Sequence, residues 1–416
     1  MSKLERLIQQ YCPDGVEYVP LSSIGTIKRG NGLQKKDFVK AGIGCIHYGQ
    51  IYTKFGLFTN KTLTYVDKEL ADHLLHIEKG DLVIACTSEN VEDVCKAVAW
   101  LGDDSIVTGG HSCVLHHNQN PKYIAYFFQT ESFQRQKRKY AYGTKVIDIK
   151  PDSIGKIEIP LPPLPVQEEI VRILDAFTEL QAELQAELQK RKQQYNYYLD
   201  NLLNFKNINR RGGYQAEVRW MKMSEVFEIR NGYTPSKAKK EFWEGGTIPW
   251  FRMEDIRQNG RILSDSILHI TPKGVKGKGL FKANSFILAT TATIGEHALI
   301  IVNSLANQQF TNLSICKSLE NELSVKYVYY YFFVIDEWCK ANTNVSNFAS
   351  VDMSKFYNLL IPIPSIAEQQ RIVAILDRFD TLTTDLTQGL PAEIEKRRQQ
   401  YEYYRDKLLT FKRKGA

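Results

Sequence analysis

A stretch running from Ile159 to Phe205 is written a second time at the end of the chain, and these two copies constrain everything else. The first opens Ile159-Pro160-Leu161-Pro162, runs through Ile170-Val171-Arg172-Ile173-Leu174-Asp175-Ala176-Phe177, and closes Lys190-Arg191-Lys192-Gln193-Gln194-Tyr195-Asn196-Tyr197-Tyr198. The second opens Ile361-Pro362-Ile363-Pro364, runs through Ile372-Val373-Ala374-Ile375-Leu376-Asp377-Arg378-Phe379, and closes Lys396-Arg397-Arg398-Gln399-Gln400-Tyr401-Glu402-Tyr403-Tyr404. A self-match of this length means that one structural unit is used twice.

Both copies read as helices. Apolar residues fall at Ile170, Ile173, Phe177, Leu180, Leu184, Leu188, Tyr195, Tyr198, Leu202 and Phe205, and again at Ile372, Ile375, Phe379, Leu382, Leu386, Leu390, Ile394, Tyr401, Tyr404, Leu408 and Phe411, in steps of three, four and seven. The stripe is narrow and flanked by Gln, Glu, Lys and Arg, which predicts a coiled-coil seam. Pro165 and Pro364 are expected to bar an earlier helical start, and Gly389 with Pro391 to kink the second helix or to cap and restart it. Ile159 and Ile361 are 202 residues apart, as are Phe177 and Phe379, whereas Tyr198 and Tyr404 are 206 apart. The second helix thus carries four extra residues, which turn a helix by about 400° and nearly keep its apolar face. The difference falls beside a tandem tetrapeptide, Leu180-Gln181-Ala182-Glu183 and Leu184-Gln185-Ala186-Glu187, a form of segment that lengthens a rod without scrambling its faces.

The repeat includes whole domains. Val16 to Ser22 leading to Ile27-Lys28-Arg29-Gly30 is matched 202 residues later by Val218 to Ser224 leading to Ile229-Arg230-Asn231-Gly232. Lys79 to Ala85 is echoed by Lys282 to Leu288, each a buried type of strand. Strands around Ala97 to Trp100 and Ser112 to Leu115 have counterparts at Ala298 to Val302 and Phe310 to Ile315, and aromatic-rich helices follow at Tyr123 to Tyr140 and Val325 to Lys340. The middles, between Gly30 and Lys79 and between Gly232 and Lys282, share almost no residue pattern, so the two scaffolds are expected to be alike at the edges and unlike inside. The expected fold is α+β: two mixed α/β domains joined by two long helices that form an antiparallel coiled coil, a pseudo-twofold internal repeat. The domains are residues 1–158 with a helical N-terminal arm and 218–359. The helices are 159–206 and 360–412, with a polar, basic, glycine-ended linker at 207–217.

A chain of 416 residues is too long for one ordinary core. No run approaches eighteen apolar residues, and the first ten residues form a charged amphipathic helix, so neither membrane span nor signal peptide is expected and the cytoplasm is the compartment. Seven Cys without a Cys-x-x-Cys pair predict reduced thiols. A net charge of +7 permits a nucleic-acid partner without demanding one.

The pattern covers the whole chain and resembles the specificity subunit of type I restriction-modification systems. The motifs that carry the resemblance are the Ile-Pro-x-Pro entry, the Gln-x-x-Ile-Val-x-Ile-Leu-Asp core at Gln167 to Asp175 and Gln369 to Asp377, and the Gln-Gln-Tyr-x-Tyr-Tyr close. The resemblance implies two target-recognition domains, each reading one half of a split double-stranded DNA site. It implies helices that set the spacing and dock two methyltransferase subunits, with motor-nuclease subunits joining for cleavage. The chain would be monomeric within that complex and non-catalytic, with no cofactor or metal of its own, while other chains bind S-adenosylmethionine, methylate adenine and consume ATP. Two absences fit this division of labour. An adenine methyltransferase needs Asn/Asp-Pro-Pro-aromatic, and Pro162-Pro163 follows a leucine; Gly277-Lys278-Gly279 does not make the Gly-Lys-Ser/Thr loop of an ATP motor.

Candidate DNA contacts follow from chemistry. Lys28, Arg29, Asn31, Gln34, Lys35 and Lys36, with Arg230, Asn231, Lys237, Lys239 and Lys240, form basic, amide-rich loops suited to phosphate; the bland alternative is a solvated charged loop. Base readout needs paired donors and acceptors. The candidates are His47, Tyr48, Gln50, Thr87, Ser88, Asn90 and the Tyr142 to Lys145 loop with Thr144 and Lys145, then Trp250, Arg252, Glu254, Thr291, Thr293, Asn307, Gln308 and Gln309, any one of which can equally be structural. His111, Cys113, His116 and His117 do not assemble as metal ligands on a strand, where the last two point opposite ways, and read as a strand end with polar tips. The seam tyrosines favour core packing over base stacking, and Lys190 to Lys192 and Lys396 to Arg398 suit either partner subunits or phosphate. Two rival functions stay open: a bivalent DNA-binding regulator that works without a methyltransferase, and a coiled-coil scaffold that binds no DNA.

Overall fold

The structure, a computed structural model, describes residues 1–205, 218–344, 349–385 and 387–415. The expected linker at 207–217 and the seam residue Leu386 lie outside the described residues. The chain divides into two compact units, Met1–Ala186 with Glu393–Ala416, and Glu187–Ala392.

The first unit runs α1 (Lys3–Tyr11), β1 (Tyr18–Pro20), α2 (Leu21–Ile24), β2 (Gly25–Arg29), β3 (Ile43–Ile46), α3 (Tyr48–Thr53), β4 (Phe58–Thr59), β5 (Thr64–Val66), α4 (Lys68–Ala71), β6 (Leu75–Ile77), β7 (Leu82–Ala85), β8 (Thr87–Ser88), β9 (Ala97–Trp100), β10 (Ile106–Thr108), β11 (Ser112–His117), α5 (Pro121–Phe127), α6 (Glu131–Lys137), β12 (Ile147–Asp148), α7 (Pro151–Gly155) and β13 (Glu158–Pro160), then enters α8 (Leu164–Leu203). The main sheet has the order β2-β11-β7-β9-β4, and a second sheet the order β5-β3-β10-β6. Every residue of β7 and β9 is buried, because the main sheet is covered on both faces. Leu82, Ile84, Ala97 and Ala99 join the cluster of Tyr123, Ile124, Tyr126 and Phe127, while Val83, Ala85, Val98 and Trp100 join Ile46, Ile51 and Ile106. The period of two divides each strand between the aromatic helices on one side and the second sheet on the other.

The second unit takes the remainder of α8 and then β14 (Arg219–Lys222), α9 (Met223–Val226), β15 (Phe227–Asn231), β16 (Ile248–Phe251), α10 (Met253–Asn259), β17 (Ile262–Leu263), β18 (His269–Ile270), β19 (Ser285–Ala289), β20 (His297–Ile300), β21 (Leu305–Ala306), β22 (Phe310–Ile315), α11 (Val325–Ala341), β23 (Thr343–Asn344), β24 (Ser350–Val351), α12 (Met353–Tyr357), β25 (Leu360–Ile363) and α13 (Ile366–Thr384). Helix α14 (Leu390–Leu408) follows. The main sheet is β15-β22-β19-β20-β17 and the second is β18-β16-β21, each strand matching its counterpart in the first unit. Where β6 pairs with β10, a single Phe281 to Ser304 bridge remains. The expectation of unlike middles is therefore corrected: the side chains differ, but strand, short helix and strand recur in the same order, because burial patterns rather than particular residues specify them.

The shared motif has a structural cause. Gln167 is fully buried; its Nε2 donates to Pro162 O (2.8 Å) and Gln119 Oε1 (2.9 Å), and its Oε1 accepts from Asn120 N (3.1 Å). Gln369 does the same to Pro364 O (2.8 Å), Glu322 O (2.8 Å) and Ser324 N (2.8 Å). Asp175 accepts from Lys122 and Tyr126, and Asp377 from Lys326 and Tyr330. Each copy thus locks the start of its long helix to the aromatic helix of its own domain.

Four details differ from expectation. Helix α8 begins at Leu164 with Pro165 inside its first turn, where a missing N–H costs nothing. The aromatic helix expected over Tyr123 to Tyr140 is broken in two, Thr130 capping α6 by accepting from Phe133 N, whereas α11 is continuous. The one-turn helices α2 and α9 interrupt the first strands. Cys86 and Cys113 are bonded to each other, so five cysteines rather than seven are free. Helix α13 stops at Thr384 and α14 starts at Leu390; at Gly389, just before that restart, a Cβ would lie 2.4 Å from Thr381 O, and Pro391 enters the first turn of α14.

The seam is antiparallel within each unit. In the second, Tyr195 and Tyr198 lie over Phe379 (6.4 and 5.1 Å between ring centres), and further along α8 Phe205 lies against Tyr327, whose hydroxyl donates to Pro362 O just before α13. In the first, Tyr404 stacks on Phe177 at 5.5 Å, and further along Phe411 O accepts from Tyr18, which pairs with Pro160 just before α8. Tyr195, Tyr401 and Tyr404 therefore pack and Tyr198 covers Phe379 with one face while 39% exposed, whereas Tyr197 and Tyr403 are 59% and 60% exposed. Among the described residues no helix is long and apolar enough to cross a membrane.

Candidate nucleic-acid interface

The loops that hold the candidate residues share one root. In the first unit Gly30 N donates to Ser112 O (3.0 Å), Cys86 N to His111 O (2.8 Å) and Ile149 N to Cys86 O (3.1 Å). In the second, Gly232 N donates to Phe310 O (2.8 Å), Thr290 N to Gln309 O (3.0 Å) and Val351 N to Thr290 O (2.9 Å). The same mesh gathers four loops at one end of each main sheet. Gly30 and Gly232 are needed for it: a Cβ would lie 2.6 Å from Gly109 O in the first and 2.2 Å from Asn307 O in the second.

In the first unit, His47, Tyr48, Thr87 and His111 form a contiguous run. His47 stacks obliquely on Tyr48 (4.5 Å), Tyr48 on His111 (4.7 Å), and His111 Nδ1 lies 3.0 Å from Thr87 Oγ1. His47 is buried and caps α3, its Nδ1 accepting from Gly49 N (3.2 Å); burial, with Lys35 nearby, holds its pKa below the usual imidazole range. Gln50 closes the capping box and donates to Thr64, so it is engaged in packing. Ser88 is half-buried on β8, paired with Ile147. Asn90 uses its amide on Asp93, at 2.9 and 2.7 Å. Arg29 grips Asp148 with both terminal nitrogens (3.0 and 2.7 Å), which ties β2 to the loop holding Tyr142, Thr144 and Lys145. Lys28, Asn31, Gln34, Lys35 and Lys36 are exposed, as are Thr144 and Lys145.

In the second unit Trp250 is a core residue, 2% exposed, its Nε1 donating to Tyr233 O and its ring edge-on to Trp243. Arg252 precedes α10 where His47 precedes α3; its Nε is buried without a hydrogen bond and lies 3.8 Å from the carboxylate of exposed Glu254. Thr291 bridges Ser350, Thr293 is half-buried beside it in sequence, Asn307 and Gln309 hold each other, and Gln308 accepts from Thr234. Asn231 accepts from Thr311 (3.1 Å). Lys237, Lys239 and Lys240 are exposed; Lys239 lies over Phe242 and Lys240 faces Glu244. Arg230 is turned inward, donating to Gly279 O (2.8 Å).

Sequence reasoning missed His111 as a loop residue, missed Lys276, and weighed Lys278 only as part of an ATP loop. The four residues read as possible metal ligands diverge: His111 meets Thr87, Cys113 meets Cys86, His116 Nδ1 lies 2.7 Å from Asp81, and His117 accepts from Gln119 N.

The family model for the type I restriction modification DNA specificity domain matches this chain twice, over residues 13–192 and 216–396. The chain belongs to that family. It is 37% identical over 433 residues to the type I restriction enzyme EcoR124I/EcoR124II specificity subunit of Escherichia coli, covering 99% of this chain and 97% of the relative. It is 54% identical over 204 residues to the EcoprrI specificity subunit of Escherichia coli, a match that spans 47% of this chain and about half, 51%, of the relative. The solved HsdS subunit from Thermoanaerobacter tengcongensis matches its fold with a TM-score of 0.54 at 17% identity, over 96% of this chain and 97% of that one. The resemblance read from the Ile-Pro-x-Pro, Gln-to-Asp and tyrosine motifs is borne out, as are the α+β class and the repeated domains.

Proposed function

We propose that this chain, as the specificity subunit of a type I restriction-modification complex, reads a bipartite, asymmetric site on double-stranded DNA. Each unit reads one half. One observation carries the reading: the same backbone mesh presents loops at the same end of both main sheets, yet the side chains on them differ almost everywhere. Matching scaffolds with unlike tips suit one task performed on two targets. The exposed Lys28, Lys35, Lys36, Lys237, Lys239 and Lys240 take phosphates. Tyr48 and His111 in the first unit, the latter held by buried Thr87, and Arg252, Gln308 and Asn307 in the second, meet base edges. Gln50 and Trp250 hold those loops in place rather than touch DNA, and Arg29 does so through Asp148.

In this reading the chain performs no chemistry. Two methyltransferase subunits dock on the helices and methylate adenine, and motor-nuclease subunits cleave with ATP, in the cytoplasm, with one copy of this chain per complex. Sequencing of methylated adenine in DNA from cells that carry the three subunits tests it. A split, asymmetric methylated motif that disappears when this chain is deleted is the expected result; methylation unchanged by the deletion overturns the reading.

A further inference from the structure

The two units treat positive charge differently at one corresponding place. In the first, Arg29 is neutralised by Asp148, 2.7 Å away. Arg29 pairs with Cys113 and Asn231 with Thr311, while Asp148 pairs with Thr87 and Ser350 bridges Thr291, so Asn231 and Ser350 stand where the first unit has its ion pair. Gly155, at the end of α7, packs tightly on Ser22, where a Cβ would lie 3.2 Å from Ser22 Cβ; α12 ends instead in Tyr357, 41% exposed. In the second unit these changes accompany a cleft of about 330 Å³, lined by Asn231, Tyr233, Lys276, Lys278 and Tyr357.

The loop on its rim is held at both ends. Arg230 donates to Gly279 O (2.8 Å) and Leu280 O (3.3 Å) and lies over the Phe281 ring at 5.1 Å. Tyr233 Oη accepts from Lys276 N (2.7 Å) and lies 3.3 Å from Gly274 O. Gly277 and Gly279 take φ of +39° and +71°, which lets the chain turn tightly between the two lysines. Lys276 and Lys278 are exposed and make no ion pair among the described residues. A pinned backbone that offers two unpaired ammonium groups beside a tyrosine and an amide suits a phosphodiester, whose charge those groups neutralise. The corresponding stretch of the first unit, Asp72-His73-Leu74-Leu75-His76, contains no lysine or arginine.

We propose that the cleft closed by the Lys276 to Gly279 loop binds the DNA backbone in the second unit only, so that this unit supplies the larger share of the salt-dependent affinity. The proposal rests on the DNA-reading function above. The test measures binding of the full chain, in complex with its methyltransferase partner, to a duplex of arbitrary sequence over a series of salt concentrations. Lys276→Gln with Lys278→Gln lowers the slope of log affinity against log salt by about 1 to 2, from roughly 0.9 per phosphate. Lys276→Arg with Lys278→Arg retains the slope, and so does His73→Gln with His76→Gln. Melting curves identify a double variant that fails to fold, in which case Lys278→Gln alone, expected to lower the slope by about 1, carries the test. A wild-type complex that binds duplex without salt dependence overturns the DNA reading itself. A salt-dependent wild type whose slope survives both glutamines overturns only the cleft.

Discussion

Gln369 sits fully buried where α13 begins, and its side chain holds three backbone groups: Pro364 O, Glu322 O and Ser324 N, each at 2.8 Å. Leucine has a similar volume and none of these bonds. Each buried group left unpaired costs about 1–3 kcal/mol, so Gln369→Leu should destabilise the second unit by about 3 kcal/mol or more, even after some gain from apolar burial. Gln369→Glu tests the geometry further. Its carboxylate would face two carbonyl oxygens, which disfavour the charged form and raise its folded pKa above the ordinary value of about 4.3. The folded state then binds the proton more tightly than the unfolded one. Stability is greatest below about pH 4 and falls by about 1.4 kcal/mol per pH unit as pH rises, until the folded pKa is reached. Urea unfolding of the full chain between mildly acid and neutral pH reads both effects, with Gln167→Leu as the parallel variant in the first unit. A leucine variant within about 0.5 kcal/mol of wild type, or a glutamate variant whose pH profile parallels wild type, would refute the reasoning.

Phe379→Ala removes the ring under Tyr195 and Tyr198 and should cost about 2–3 kcal/mol in unfolding experiments, because the site is half-buried; no measurable change would remove the seam from the account. Glu169 is held down to about 2 by its bonds to Arg172 first and Lys3 next, against the opposing effect of burial. Its stabilisation is complete above the ordinary glutamate range near 4.5 and lost as pH falls toward 2, so Glu169→Gln should flatten the acid limb of the stability curve and leave no such change if the pairs are idle. Deleting Leu180 to Glu183 from α8 shortens it by about 6 Å with only about 40° of residual rotation. The methylated motif should keep its halves and lose about one to two base pairs of spacer, given about 3.4 Å per pair; an active complex with an unaltered spacer would show that the helices do not measure it.

The repeat at an offset of 202 residues made the edges of both domains legible, because the strands there are apolar runs covered on both faces, as at Leu82 to Ala85. It did not reveal that the middles fold alike. Strands such as Ile43–Ile46 and Ile248–Phe251 bury equivalent positions with unrelated side chains, so no residue match could show it. Gln167 and Gln369 were recognisable as motif residues, but a polar side chain inside a helical pattern gives no hint that it is buried and making three hydrogen bonds. The break after Phe128 had a signal, Thr130 followed by Glu131, which the aromatic pattern around it concealed. Among the candidate contacts, sequence could not separate loop tips from loop roots. Trp250 and Gln50 face inward, and Arg29 is neutralised by Asp148, 119 positions away in the chain. Lys278 was weighed only against an ATP-loop pattern and Lys276 not at all, because the position of Lys276 over the Tyr233 ring exists only in the fold.

The claim that two units each read half of one DNA site is tested most directly by a hybrid in which residues 218–358 are replaced by the corresponding domain of a relative with a different specificity. Sequencing methylated adenine in cells that carry the hybrid and its partner subunits should show one half of the motif exchanged and the other retained. A hybrid that is active and alters both halves together, or neither, would contradict the account.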